Sequence, residues 1–289
     1  MRMEDLEGYN EENNSYFYEL IIRKYLKLGF LNKEKLKEYD ENIYQYVRHI
    51  SENRDEISLK YFQYLSILFT EMYLDRFFLD REKFVDDLNK FVQVFNNNND
   101  TFLTEFDKYS LNKLAYMSAT GSGKTLIMHV NILQYKKYIN KAKYYDNSIR
   151  LNKIILLTPN EGLSNQHIEE LRLSNIPCNF FEKDTLQDES EVFVIDINKL
   201  AEKGKEKTVS VDSFEKNNLV LVDEGHKGLS GNVWYDFRKR LSEEGFSFEY
   251  SATFKQAIKD EKKKSTAELL VHQYGKSIIF DYSYIVYTF

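Results

Sequence analysis

Cysteine, proline and tryptophan are nearly missing from this 289-residue chain, which has one Cys, two Pro and one Trp. With Cys178 alone, no disulfide can form within the chain, which fits a reducing compartment. Two prolines and eleven glycines impose few breaks, so long regular elements are expected. A net charge of −6 excludes a globally basic surface, and any contact with nucleic acid has to be local. No stretch approaches the ~20 apolar residues of a membrane span. The acidic start Met1-Arg2-Met3-Glu4-Asp5 has no apolar core of a signal peptide. A cytoplasmic protein without a membrane partner is therefore expected. No internal repeat of about 20–50 residues is present. What is abundant is core material, with 42% hydrophobic and 15% aromatic residues. The length suggests about two domains.

The first part of the chain, residues 1–100, reads as all-helical. Tyr18, Ile21, Ile22, Tyr25 and Leu26 keep helical spacing, with Gly29 as a stop. Leu36, Tyr39, Ile43, Tyr46, Val47 and Ile50 give a second helix. Ile57, Tyr61, Tyr64, Leu65, Leu68, Phe69 and Met72 give a third, and Phe84, Leu88, Phe91 and Val92 a fourth. Their aromatic side chains follow helix periodicity and are read as core rather than as a base-stacking platform. The polar run Asn96-Asn97-Asn98-Asn99-Asp100 is expected to break the pattern, as a boundary or surface loop.

Residues 110–289 change character, to short apolar runs alternating with amphipathic segments. That is the α/β pattern of a mostly parallel sheet. Strands are expected at Leu114–Met117, Ile154–Thr158, Asn179–Phe181, Val192–Ile195, Leu219–Val222 and Phe246–Tyr250, and helices at Thr125–Tyr138, Asn165–Leu173 and Asn232–Leu241. The stretch from Gln134 to Lys153 is locally basic. It is read as a solvated connector rather than a DNA patch, because it lies away from the carboxyl ends of the strands where ligands bind. His129 and His167 have no evident partner and are read as structural.

The chemistry centres on Ser118-Ala119-Thr120-Gly121-Ser122-Gly123-Lys124-Thr125. An apolar run precedes it and an apolar-periodic run follows, which is the strand, loop, helix order of a phosphate-binding P-loop. Thr120, Gly121, Ser122 and Gly123 would wrap backbone N–H groups around an anion at a helix N-terminus. Lys124 would contact the β- and γ-phosphates of ATP, and the Thr125 hydroxyl would ligate Mg²⁺. Ser118 replaces the first glycine of the usual pattern. Downstream by 99 residues from Lys124, the run Val220-Leu221-Val222-Asp223-Glu224-Gly225-His226 is an apolar strand ending in two acids. Asp223 would hold Mg²⁺ directly or through water, and Glu224 would activate or position the attacking water. His226 would report the nucleotide state. Ser251 and Thr253, at the end of another strand, would hydrogen-bond the acids and couple hydrolysis to movement.

These motifs together resemble the first RecA-like domain of superfamily-2 helicases and translocases. Ala119 to Thr125 looks like motif I, Thr158-Pro159-Asn160 with Leu163 and Gln166 like motif Ia, and Asp223-Glu224-Gly225-His226 like a DEAH-type motif II. Ser251-Ala252-Thr253 looks like motif III, and Asp196 to Leu200 is a fainter likeness to a further nucleic-acid-contacting motif. The wording of motifs I and II is most similar to the motor (res) subunits of type III restriction enzymes and related bacterial defence ATPases. The resemblance implies a RecA-like fold, binding of ATP and Mg²⁺, and a nucleic-acid partner, DNA rather than RNA, met by Pro159 and Asn160. It implies an adenine-reading glutamine upstream of motif I, and Gln93 is too poorly anchored in the pattern to carry that role. It also implies a second RecA-like domain bearing an arginine finger, which is absent here. The expectation is a truncated or split motor, completed by a protein that supplies that domain, or acting with a modification or nuclease subunit. The alternative is a catalytically idle nucleotide-binding module of a larger complex.

Overall fold

The computed structural model describes residues 6–25, 32–98, 103, 105–109, 111–181, 192–201, 209–211, 214–224 and 232–252. Helices α1 (Tyr16–Tyr25), α2 (Lys33–Ser51), α3 (Tyr61–Leu79) and α4 (Arg81–Asn98) come first. Then follow β1 (Lys113–Met117), α5 (Lys124–Tyr145), β2 (Ile154–Thr158), α6 (Glu161–Leu173), β3 (Cys178–Phe180) and β4 (Val192–Asp196). After a 3-10 turn at Ile197–Lys199 come β5 (Leu200–Ala201), β6 (Val209–Ser210), β7 (Leu219–Val222), α7 (Asn232–Leu241) and β8 (Phe246–Ser251).

The main sheet has six strands in the order β1-β8-β7-β2-β4-β3, every neighbouring pair parallel. Its strands read as near-continuous apolar runs because both faces are covered. Alternate residues then go to opposite sides. Leu219 and Leu221 join one core with Leu114, Tyr116, Phe246, Phe248, Ile154 and Leu156. Val220 and Val222 join another with Ile155, Leu157, Phe193, Ile195, Phe237 and Leu241.

The N-terminal helices take part in the first of these cores. α3 is apolar around most of its circumference, as a helix buried on several sides must be. Its Tyr64, Ile67 and Leu68 pack with α1 and α2, and its Tyr73, Leu74 and Phe77 pack with the sheet and α5. A buried polar chain crosses the same contact. Tyr250 Oη on β8 donates to Asn131 Oδ1, Asn131 Nδ2 to Gln134 Oε1, and Gln134 Nε2 to Glu71 Oε1, at 2.7, 2.8 and 2.9 Å. Asn42 Nδ2 and Tyr138 Oη also donate to Glu71, at 2.9 and 2.7 Å. The Glu71 carboxyl is nevertheless pushed above the usual carboxylate range, because burial outweighs these bonds.

Three features differ from the sequence reading. The asparagine run does not stop the fourth helix at once: α4 continues through Asn98, while Asn99 and Asp100 lie outside the described residues. Side-chain bonds offset the weak helix propensity. Asn96 exchanges two with the Leu103 backbone, and Asn89 two with that of Phe106. Phe91, counted as core, is 75% exposed. The basic stretch after Gln134 is not only a connector. α5 extends to Tyr145, Lys137 donates to Asn42, and Lys141 pairs with Asp75 at 3.4 Å, so these cations face the N-terminal helices.

Candidate nucleotide-binding site

All six parallel strands of the sheet end at one edge, and the candidate residues follow five of them. β1 delivers the loop 118–123, β2 delivers Pro159 and Asn160, and β4 delivers Asp196 to Lys199. β7 delivers Asp223 and Glu224, and β8 ends at Ser251. β8 lies between β1 and β7, and Ser118 N–H donates to the Ser251 carbonyl at 3.0 Å. The loop is thereby fixed to the strand carrying Ser251. The carboxyl edge of an open parallel sheet is where such folds bind ligands.

Gly121 and Gly123 have φ of +77° and +80°, in the left-handed region that favours glycine. They turn the chain into α5, whose first N–H groups have no intrahelical acceptors. Lys124 Nζ reaches back to the Ser118 and Ala119 carbonyls, at 3.2 and 3.4 Å. Ser122 Oγ is buried with no hydrogen-bond partner. A glycine-turned loop at a helix N-terminus, with a lysine above it and an unpaired buried hydroxyl, fits a polyphosphate.

Asp223 continues the sheet by one residue, its N–H donating to the Leu157 carbonyl at 3.0 Å. One carboxylate oxygen accepts from the Glu224 N–H at 2.9 Å, the other from His167 Nε2 at 3.0 Å. Glu224 itself has φ +51°, a sparsely populated backbone for a side chain of that size and a common mark of functional sites. Among the described residues no group of three or more His, Cys, Asp or Glu converges as a metal site. The donor set fits Mg²⁺, which is held by one or two carboxylates together with phosphate oxygens and water. Asp223 and Thr125 would be the protein ligands, and the cation would supply charge neutralisation at the phosphates.

On β2, Thr158 is buried and its hydroxyl lies 2.6 Å from Ser164 Oγ. Asn160 caps α6, its Oδ1 accepting from Leu163 N–H at 3.0 Å. The Pro159 carbonyl accepts from Asn198 Nδ2 at 3.2 Å, which joins this loop to the one after β4. Pro159 therefore meets the β4 loop, while Asn160 bonds within its own turn. Gly225, His226 and Thr253 lie outside the described residues. A cavity of about 820 Å³ opens at the opposite edge, lined by Lys113, Arg150, Asn217 and Gly245, and shares no residue with this site.

Two contributions escaped sequence reasoning. His167, read as partnerless, is buried on the inner face of α6 and holds Asp223. His129, also read so, lies 2.7 Å from Ser174 Oγ. Gln63, on α3, donates through Nε2 to the Ser122 carbonyl at 2.7 Å, and its Oε1 accepts from Lys60 N–H. Gln93, the glutamine weighed for adenine, faces Glu105 in an exposed contact. The available signals were weak: a histidine on an apolar helix face, and a polar residue in the first turn of an apolar helix.

The fold and this edge define a P-loop RecA-like domain, the first such domain of superfamily-2 helicases and translocases. A family model described as "Type III restriction enzyme, res subunit" matches residues 82–256, more than half of the chain. The chain belongs to that family, and it is a helicase-type, nucleotide-binding motor domain. No curated protein matches it. Solved structures with partial similarity include the Sulfolobus solfataricus SWI2/SNF2 ATPase core in complex with dsDNA, at 15% identity over 61% of this chain and 42% of that one, TM-score 0.40. The Pyrococcus furiosus Hef helicase domain gives 19% identity over 58% and 34%, TM-score 0.34. The UvsW helicase from bacteriophage T4 gives 17% over 63% and 62%, TM-score 0.36. The chain thus spans less than two thirds of each of these proteins. None of the described helices is long and apolar enough to cross a membrane.

Proposed function

We propose that this chain is the ATP-binding motor unit of a superfamily-2 DNA helicase or translocase, working in the cytoplasm within a restriction or related defence system. The observation that carries the reading is the convergence of the phosphate loop, the paired acids on β7 and the motif on β2 at one carboxyl edge. In this reading Thr120, Gly121, Ser122, Gly123 and Lys124 hold the phosphates, and Thr125 and Asp223 hold Mg²⁺. Glu224 activates or positions the attacking water. Pro159 and Asn160 contact DNA, and Ser251, with Thr253 and His226, couples nucleotide state to movement. The helical residues 1–100 and the α/β residues 110–289 are two sequence modules around a joint core. A second RecA-like unit, in whichever chain it lies, closes the site from the far side, and a modification or nuclease subunit is the expected protein partner.

A second reading is favoured by the bond from Gln63 to Ser122. Here the chain is a nucleotide-binding module without turnover, whose helices respond to the phosphate loop. ATP hydrolysis with and without double- and single-stranded DNA and RNA separates the two. With a protein that supplies the second RecA-like unit present, the motor reading expects turnover that rises with DNA and is lost in Glu224→Gln. Nucleotide binding with no turnover under any of these conditions would favour the second.

A further inference from the structure

Polar contacts run from the N-terminal helices to α6 and the P-loop helix, and from α6 to the carboxylate on β7. Arg54, in the turn after α2, donates through Nη1 to Glu170 Oε2 at 3.1 Å. Its Nη2 donates to the Glu170 carbonyl and to Ser174 Oγ, both at 2.8 Å. Ser174 follows the end of α6, and its hydroxyl meets His129 Nδ1, on the P-loop helix, at 2.7 Å. On α6 itself, His167 Nε2 meets Asp223 Oδ2 at 3.0 Å. Both imidazoles are buried, and each has one further ring nitrogen, His129 Nε2 and His167 Nδ1, that is buried without a hydrogen-bond partner.

The partners decide where the protons sit. Asp223 Oδ2 accepts from His167 Nε2. The Ser174 hydroxyl already accepts from Arg54 and has one proton to give. Given to His129 Nδ1, it leaves the His129 proton on Nε2 as a donor. Burial, with the neighbouring His167 as a second cause, pushes the His129 pKa down to about 3, so this ring stays neutral. Helix α6 carries His167 within it and Ser174 at its end, so one element holds the partners of both His129 and Asp223.

We propose that His129 and His167 form a positioning relay that orients Asp223 for a divalent cation and ties that orientation, through Ser174, to Arg54 of the N-terminal helical region. The proposal rests on the reading of Asp223 as a Mg²⁺ ligand. It gives the helical region a defined route to the metal half of the site, separate from the contact of Gln63 with the phosphate loop.

The test is Mn²⁺ binding to the protein–ADP complex, followed by electron paramagnetic resonance, with ADP binding in the absence of metal as the second reading. Outer-shell partners of metal ligands typically contribute about 10–100-fold in affinity. His167→Ala should weaken Mn²⁺ binding by about that factor, with metal-free ADP affinity unchanged. His129→Phe and Arg54→Ala should move it in the same direction by a smaller factor. Arg54 lies near the surface, its side chain 17% exposed, so Arg54→Ala carries the test if His129→Phe does not fold. Wild-type Mn²⁺ affinity in His167→Ala and Arg54→Ala, while Asp223→Asn loses it, would overturn the relay and leave the metal site standing. An equal loss of Mn²⁺ and metal-free ADP binding would also overturn it, as a merely structural role. Wild-type Mn²⁺ affinity in Asp223→Asn would remove the metal reading itself.

Discussion

Gly123 is constrained from outside its own loop. A Cβ there would stand 2.3 Å from Gln63 Nε2, and the backbone is left-handed as well. Gln63 therefore closes over the loop, holding the Ser122 carbonyl with one end of its amide while the other accepts from Lys60. Gln63→Ala removes a bond of about 0.5–1.5 kcal/mol net and frees the loop. Nucleotide affinity should fall by about 2–10-fold in a fluorescent ADP titration, with unfolding temperature little changed. Equal affinity in the variant would show that the loop holds its shape unaided. At this scale the sequence points only to residues whose setting is local. Lys124 and Thr125 follow a glycine turn, and Asp223 and Glu224 end an apolar strand. It did not reveal Gln63 or His167, because the distance from Gln63 to Ser122 is 59 residues along the chain and from His167 to Asp223 is 56. Only the tertiary fold creates those pairs.

The elements of the α/β part were legible because each carried its own period. β2 and β7 are short apolar runs, and α7 matches its expected bounds at Asn232–Leu241. Helix ends were less legible. α5 runs seven residues past Tyr138, and Lys141 in that extension pairs with Asp75 on α3, a partner that periodicity in α5 alone does not show. The N-terminal helices also hold a titrating group. Asp40, on α2, accepts from Ser15 N–H and from Tyr64 Oη and is fully buried. Burial, the leading cause, pushes its pKa from 3.8 up to about 6. The folded chain thus keeps a proton that the unfolded chain releases near pH 4. The stabilisation from that proton is present at lower pH and is lost as pH rises through about 6. Across this window the wild type should lose about 3 kcal/mol more than Asp40→Asn, read from urea unfolding at each pH. Parallel curves for the two proteins would contradict this.

The molecule as a whole places its strand ends, the start of its P-loop helix and its N-terminal helices around one edge. The parallel sheet buries both faces and leaves that edge as the place where backbone N–H groups, Lys124 and the Asp223 carboxylate are presented together. The family match begins at residue 82, inside α4, so the helix beside the sheet belongs to the matched unit. The central claim is that this edge binds a nucleoside polyphosphate with Mg²⁺. Calorimetric titration of ADP, with and without Mg²⁺, tests it most directly. The account predicts one site per chain, tightened by Mg²⁺. Binding should be lost in Lys124→Ala, and the Mg²⁺ effect alone should be lost in Asp223→Asn. Binding that persists unchanged in Lys124→Ala, or a Mg²⁺ effect that survives in Asp223→Asn, would contradict it.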